Sequence, residues 1–526
     1  MVSGQLLLLL AAIVIGTFLA RRIWGSLSHR DKQDKLEREK FWKTVENVGI
    51  PPRGGFFAQT RGLLSSLTSV QSWTHSGYGR ISKAQKLPFA LPTIWTWDNV
   101  AVLPPSALRI LSKPESEVTA FGAQLETIQL PYMISDRDIY MNVIHFDVAR
   151  KHLVNPKDVA SLAAATADEV DVAFTDVWGT SPEWKTVNAW DACGRIIMRA
   201  AIRVLIGLPT CRDETYFEQS RLFSDAVIMG TAMINTMPPL LRPVYHQARC
   251  LKILVPFVED RIRIWKQGGE KGEDGSENDF LQWLIPKCAK EGPEQMAPTK
   301  LANRLLTFNV MFVIGMVYVF GHTVLDLYSS PNKDAYLAGL EAECHRVSAQ
   351  HDGLTSRAAV DQLHRLDSVI RESMRVSDIA VTALARDVVG KPLDLGAGVQ
   401  VPRGTRVVFP THAIHRDEEY YEDPLRFDAF RFSRPFEGSS EDVAAEAKDQ
   451  KDSLTTITPS FLAFGYGKHA CPGRFFAAQT MKQALAGIVM DYDVEIISRP
   501  EKRQVMLNMM IPAVDAQMRY RRKTKK

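Results

Sequence analysis

The stretch Phe461-Leu-Ala-Phe-Gly-Tyr-Gly-Lys-His-Ala-Cys-Pro-Gly-Arg-Phe-Phe476 surrounds one cysteine with glycine, proline and aromatic residues. Within it, Phe464, Gly467, His469, Cys471 and Gly473 stand in the order F-x-x-G-x-H-x-C-x-G. Glycines on both sides let the chain turn tightly and let backbone amides approach the sulfur. A helix beginning after Pro472 points its positive end at the same atom. Both features favour the anionic form of a thiol, so the spacing predicts a stabilised thiolate at Cys471.

The other cysteines, Cys193, Cys211, Cys250, Cys288 and Cys344, lack such surroundings. They are too scattered for a disulfide framework and have no metal or redox spacing, which leaves ordinary buried thiols. An axial thiolate suits haem iron, onto which it pushes electron density that favours O–O cleavage. With these residues the chain resembles the cytochrome P-450 family of haem-thiolate monooxygenases. Glu372-Ser-Met-Arg375 is similar to the family's E-x-x-R helix. His415-Arg-Asp417, and Phe427-Asp-Ala-Phe-Arg-Phe432 after it, resemble the H-R-D and F-x-P-x-R-F segments, with Ala429 in place of the usual proline. Val401-Pro-Arg-Gly404 resembles the P-x-G strand start.

The resemblance runs over roughly residues 50 to 515 and has a fungal style. It implies a mainly α cytochrome P-450 fold with a small β lobe near residues 75–105 and 380–410. It also implies haem b with Cys471 as the iron ligand, in a loop shaped by Phe464, Gly467 and Gly473. Glu372, Arg375 and Arg431 would form a network bracing the proximal side. Arg386 would meet a haem propionate, and His469, standing where Arg is more usual, would donate a hydrogen bond to one. Lys468 and Arg474 flank the cysteine on a face expected to receive a reductase.

One departure concerns the apolar helix expected over Leu305 to Tyr328. In the family a central helix usually carries an acid or amide and a Thr above the haem. Counting back about four turns from Pro331 puts Gly315 and Met316 at that position, without an acid or a hydroxyl. A second register, Gly321-His-Thr323, contains a Thr but lies about two turns later, and His322 then reads as a packed helix histidine. Substrate contacts are expected from Ile314 to Val317 and from Ser377 to Leu384.

Met1 to Ala20 is uncharged and long enough, at about 1.5 Å per residue, to cross a hydrocarbon core of about 30 Å. Arg21 and Arg22 follow the apolar run, which predicts an anchor with the body on the cytosolic side of the endoplasmic reticulum membrane. Three segments result: an anchor over 1–22, a basic linker with a Pro/Gly hinge over 23–55, and a haem-thiolate domain over 56–526. The chain has 526 residues, 45% of them hydrophobic, and a net charge of only +4. That composition excludes a disordered chain and gives no surface for nucleic acid.

Gly465-Tyr-Gly-Lys-His-Ala470 matches a dinucleotide fingerprint formally, without the βαβ unit and acidic residue that reading requires. With no flavin or nicotinamide domain, electrons are expected from a separate NADPH-dependent cytochrome P-450 reductase. The predicted function is therefore monooxygenation of an apolar small molecule, a terpenoid, polyketide or alkaloid scaffold, in fungal secondary-metabolite biosynthesis. The missing Thr keeps an atypical cyclisation, coupling or rearrangement open as an alternative. A non-catalytic haem sensor is the second alternative.

Overall fold

The computed structural model of the chain describes residues 31–50, 57–96, 98–128, 134, 136–234, 245–268, 278–396, 398–436 and 452–524. The expected anchor over 1–22 lies outside these residues, as do most of the Pro/Gly hinge and the two polar loops near 270 and 445. Helices dominate, and the longest is the central helix Pro298–Tyr328. Its proline at the start costs no hydrogen bond, and its apolar length is long enough to cross a membrane. Here 71% of its most apolar window is buried within the fold, so it is the core around which the other helices pack.

Helix Ala189–Ile206 makes the most extensive crossing with the central helix. Asn188 starts it by accepting a hydrogen bond from the Asp191 amide, and Gly207, with φ +73°, ends it. Small residues set the closeness of the crossing. A Cβ on Gly194 would come 3.1 Å from Val317, and one on Gly321 would come 3.0 Å from Trp190. His322 packs in the same seam against Trp190 and Tyr318, as expected of a packed histidine.

The small β lobe lies where it was expected. Its sheet contains β1 (Phe89–Thr93), β2 (Asp98–Val102), β3 (Val118–Thr119), β4 (Ala383–Val388) and β5 (Arg406–Phe409), in the order β1-β2-β5-β4-β3. β1 and β2 are antiparallel, and β2 runs parallel to β5 with Ala101 opposite Val407. This pairing joins segments far apart in sequence and fixes the β4 wall against the helical body. All of β1 is buried, as its apolar run requires for a strand covered on both faces.

The second half of the expected linker is folded onto this lobe. Helix Asp31–Thr44 buries Phe41 to 6% exposure beneath the sheet, and the Arg38 guanidinium donates to the Arg403 carbonyl oxygen at 3.3 Å. Asn47 bridges Ala90 in parallel register. Residues 31–50 therefore pack as part of the body.

Candidate active site

The cysteine loop is closed by the amide of Cys471 donating to the Phe464 carbonyl oxygen at 2.7 Å. Gly465 and Gly467 hold φ of +85° and +67°, left-handed values that a side chain would strain. Phe464 is buried at 9% exposure and anchors the loop to the core. Helix Arg474–Asp491 starts at once after Gly473, as the sequence predicts. Burial pushes the Cys471 thiol up, while the amides of Gly473 and Arg474 donate to the sulfur and, with the Arg474 charge, work against that rise. A Cβ on Gly473 would stand 4.0 Å from the sulfur and 3.7 Å from Phe312, so the central helix passes directly beside the loop.

Cys471 is the exposed cysteine; the other five are buried, and burial raises their thiols to about 11 or 12. A sulfur supplied with two amide donors, on the one exposed cysteine among the six, fits a bond to a cationic metal, which would itself deprotonate the thiol. The residues present thus fit the axial position of haem.

Behind the loop, helix His364–Val376 carries Glu372 and Arg375, both with no exposure. The Arg375 guanidinium donates to both Glu372 oxygens at 2.8 Å, and to the carbonyls of His415 and Pro424 at 2.7 and 2.6 Å. Arg431 Nε donates to the same carboxylate at 3.1 Å, and the Asp428 amide adds a bond at 3.0 Å. The structure thus brings the three expected residues into one buried network. A buried carboxylate with this many donors holds its surroundings in place, and removing one partner would strand the others.

Sequence reasoning missed two members of this assembly. His415, placed by the sequence in the H-R-D segment without a role, accepts from the Leu462 amide through Nε2 at 2.9 Å, which leaves Nδ1–H to donate to Asp378 at 2.8 Å. It joins the cysteine loop to the segment after Arg375. Its place in the H-R-D segment was the available signal. Arg371 lies under the loop, with its guanidinium 4.0 Å from the Phe461 ring centre and a bond to the Thr456 carbonyl at 3.0 Å. Its position within one turn of Arg375 carried no signal of its own.

On the other side, a cavity of about 470 Å³ is lined by Ile314, by Ile379 to Leu384 apart from Val381, by Arg386 and His469, and by sheet residues including Leu91 and Val408. The expected substrate segments are only partly there. Ile314 lines the cavity, but Val317 faces Gly194 of the crossing helix and Met316 is buried in the core at 5% exposure. Met316 is thus not a cavity residue, because the helical turn that aims Ile314 outward rotates Met316 into the packed side. Among the described residues nothing lies within 4 Å of where a Cβ on Gly315 would stand, an open notch in the central helix. Ser377 donates to Asp326 and Asp378 pairs with His415, so both turn away from the cavity.

Arg386 and His469 share the cavity wall, but the histidine is already engaged: its Nε2 lies 2.5 Å from Glu115 Oε1. Burial and the neighbouring Arg386 charge hold its pKa below the ordinary value, against the pull of Glu115. His469 thus stands at the cavity wall bonded to Glu115. Arg386 is nearly buried and donates one bond to the Ala385 carbonyl. Lys468 donates to the Lys113 carbonyl, and Arg474 donates to the carbonyls of Cys471 and Thr455, so neither expected docking cation is unengaged. A wider cleft of about 660 Å³, between helix Asp31–Thr44 and residues 392–402, contains no expected site residue.

The Cytochrome P450 family model matches residues 184–518. Cytochrome P450 monooxygenase gloP of Glarea lozoyensis is 33% identical over 99% of this chain and 96% of its own length. Cytochrome P450 monooxygenase htyF of Aspergillus rugulosus is 37% identical over 88% of this chain and 70% of its own. Cytochrome P450 monooxygenase okaG of Penicillium ochrochloron is 27% identical over 86% and 89%. The amide-ringed Cys471, the buried Glu372, Arg375 and Arg431 network and these likenesses agree, and the chain belongs to the cytochrome P450 family, whose members use haem with an axial cysteine thiolate.

Proposed function

We propose that the protein is a haem-thiolate monooxygenase of fungal secondary metabolism that oxidises an apolar small molecule, with electrons from a separate NADPH-dependent reductase. The observation that carries this is the sulfur of Cys471, accessible and facing the amides of Gly473 and Arg474. Cys471 would ligate the iron, Arg386 and His469 would meet the propionates, and Phe464, Gly467 and Gly473 would shape the loop. Haem held there supplies dioxygen activation. The chain's own work is to brace the sulfur through Glu372, Arg375 and Arg431, to exclude water, and to place the substrate along Ile314 and Ile379–Leu384. The apolar wall supports an apolar scaffold.

The apolar run Met1 to Ala20 supports an anchor over 1–22 in the endoplasmic reticulum membrane, with the catalytic body in the cytosol. The reductase would dock beside Lys468 and Arg474. The notch at Gly315 supports a second reading, an atypical cyclisation, coupling or rearrangement, since no hydroxyl stands there to pass protons.

The test is the reduced, carbon-monoxide-bound spectrum of the purified protein beside that of Cys471→Ser. A thiolate-type Soret band, lost in the variant, is expected. A haem-free protein, or a band unchanged in the variant, overturns the assignment. Oxygen uptake matched to product then separates insertion from an atypical reaction, and substrate-dependent reductant use separates either from a haem sensor.

A further inference from the structure

The cavity wall is mostly apolar, along Val70, Leu91, Val100, Ile314 and Val408, and among its polar residues, which include Thr93, Thr96, Gln124, Arg386, Arg406 and His469, Thr382 and Asn508 are locked to each other. Asn508 stands in the turn between strands Val505–Met506 and Met509–Met510, and Thr382 lies just before strand β4. Asn508 Oδ1 accepts from the Thr382 amide at 2.9 Å and from the Thr382 hydroxyl at 3.0 Å. Asn508 Nδ2 in turn donates to the Thr382 carbonyl oxygen at 2.7 Å. The backbones are tied as well, the Val381 amide donating to the Asn508 carbonyl at 3.0 Å.

Counting donors and acceptors shows what this lock leaves over. The amide oxygen of Asn508 has two lone pairs, and both are taken. Its nitrogen has two hydrogens, of which one goes to the Thr382 carbonyl; the second has no protein acceptor among the described residues. The Thr382 hydroxyl has spent its hydrogen on Asn508 and keeps its lone pairs. One donor and one acceptor therefore stand side by side on a mostly apolar wall, at a buried Thr382 and a half-buried Asn508.

The backbone that presents them is strained. Leu507, preceding Asn508 in the hairpin turn, has φ +60°, a left-handed value at a turn position usually given to glycine. A leucine holds it because its side chain is buried at 2% exposure beside Ile94, with Leu67 and Trp95 packed against them, and because its amide donates to the Leu67 carbonyl at 3.0 Å. Leu384, two residues after Thr382 and also on the wall, has φ +60° too. Such strain persists only where the surrounding packing over-determines it, and it gathers at ligand sites.

We infer that Thr382 and Asn508 are the polar anchor of the cavity, reading one hydroxyl or amide group on an otherwise apolar substrate and fixing which carbon faces the reacting centre. A hydroxyl or a primary amide both donates and accepts, so either pairs with the Asn508 N–H and the Thr382 oxygen together. This rests on the proposed monooxygenase reading and adds the substrate's functional group to it.

The test uses the full-length holoenzyme and equilibrium dialysis with two probes of equal chain length, dodecane and dodecanamide. The wild type should bind dodecanamide about tenfold more tightly, the scale of one well-made hydrogen bond in an apolar site. Thr382→Val keeps the shape and the backbone amide but removes the hydroxyl, and should lose that preference while binding dodecane unchanged. Thr382→Ser should keep it. A wild type without the preference, or a Thr382→Val variant that retains it, overturns the anchor. The thiolate-type carbon monoxide band separates the two levels: a protein with the band but no preference refutes only the anchor, whereas one without the band refutes the monooxygenase reading beneath it.

Discussion

The two sides of the cysteine loop are built on different principles. Behind it, Glu372, Arg375, His415 and Asp378 are buried, Arg431 is nearly so, and short, directional bonds join them. In front, the cavity wall is mostly aliphatic, with Leu384 at φ +60°, scattered polar residues such as Thr93, Gln124 and Arg386, and the interlocked pair Thr382 and Asn508. The rear is specified by charge and hydrogen bonding, where one wrong residue leaves a partner stranded. The front is specified by shape, where many residues would serve and the choice reflects the molecule received. The comparison teaches that a common chemistry is held by the first region and individual selectivity by the second.

The largest effect should come from breaking the rear. Glu372→Gln would leave two buried guanidiniums facing a neutral amide, at a cost of about 3–5 kcal/mol. The expected outcome is a protein with a sharply lowered urea midpoint and little bound haem. Full haem content and an unchanged midpoint would show that the rear network does not set the loop.

A middle-sized effect should appear at Asp378. Burial raises its pKa, but the hydrogen bond from His415 Nδ1–H, together with the Arg416 charge, outweighs that and holds it below 3.8. A depressed carboxylate stabilises the fold fully above its unfolded value and loses that contribution as pH falls through the folded one. Asp378→Asn should therefore cost about 1–3 kcal/mol near neutrality, and the gap from wild type should close below about pH 4. Urea midpoints of both proteins across that range check it; a gap independent of pH would assign the loss to packing instead.

The same contrast explains what was legible in the sequence. Cys471, Glu372, Arg375 and Arg431 could be read because their chemistry demands particular residue types at particular spacings, and the fold brings them together. The β lobe was expected from the family resemblance alone, since its strands are short and far apart in sequence. Asn508 and Thr382 were not, since a polar pair formed by a hairpin turn and a distant strand edge leaves no local pattern. Nor could Met316 be separated from Ile314 without the rotation of the central helix, because residues two apart on a helix face different sides. The pairing of His469 with Glu115 depended on a contact between segments distant in sequence.

The smallest effect should be at Gly315, and it sharpens the comparison most. Glycine inside a helix costs about 0.5–1 kcal/mol relative to alanine. A Cβ here would meet nothing within 4 Å among the described residues. Gly315→Ala should raise the unfolding free energy read from urea titration by that amount, in contrast to Gly194→Ala, whose Cβ would press on Val317 at 3.1 Å and should lower it. If the stabilised Gly315→Ala enzyme also loses affinity for its substrate or uncouples oxygen uptake from product, the notch is space reserved for the reacting molecules. Unchanged affinity and coupling would instead make Gly315 a neutral residue, and the selectivity of the front would rest on the Ile379–Leu384 wall and the Asn508 turn alone.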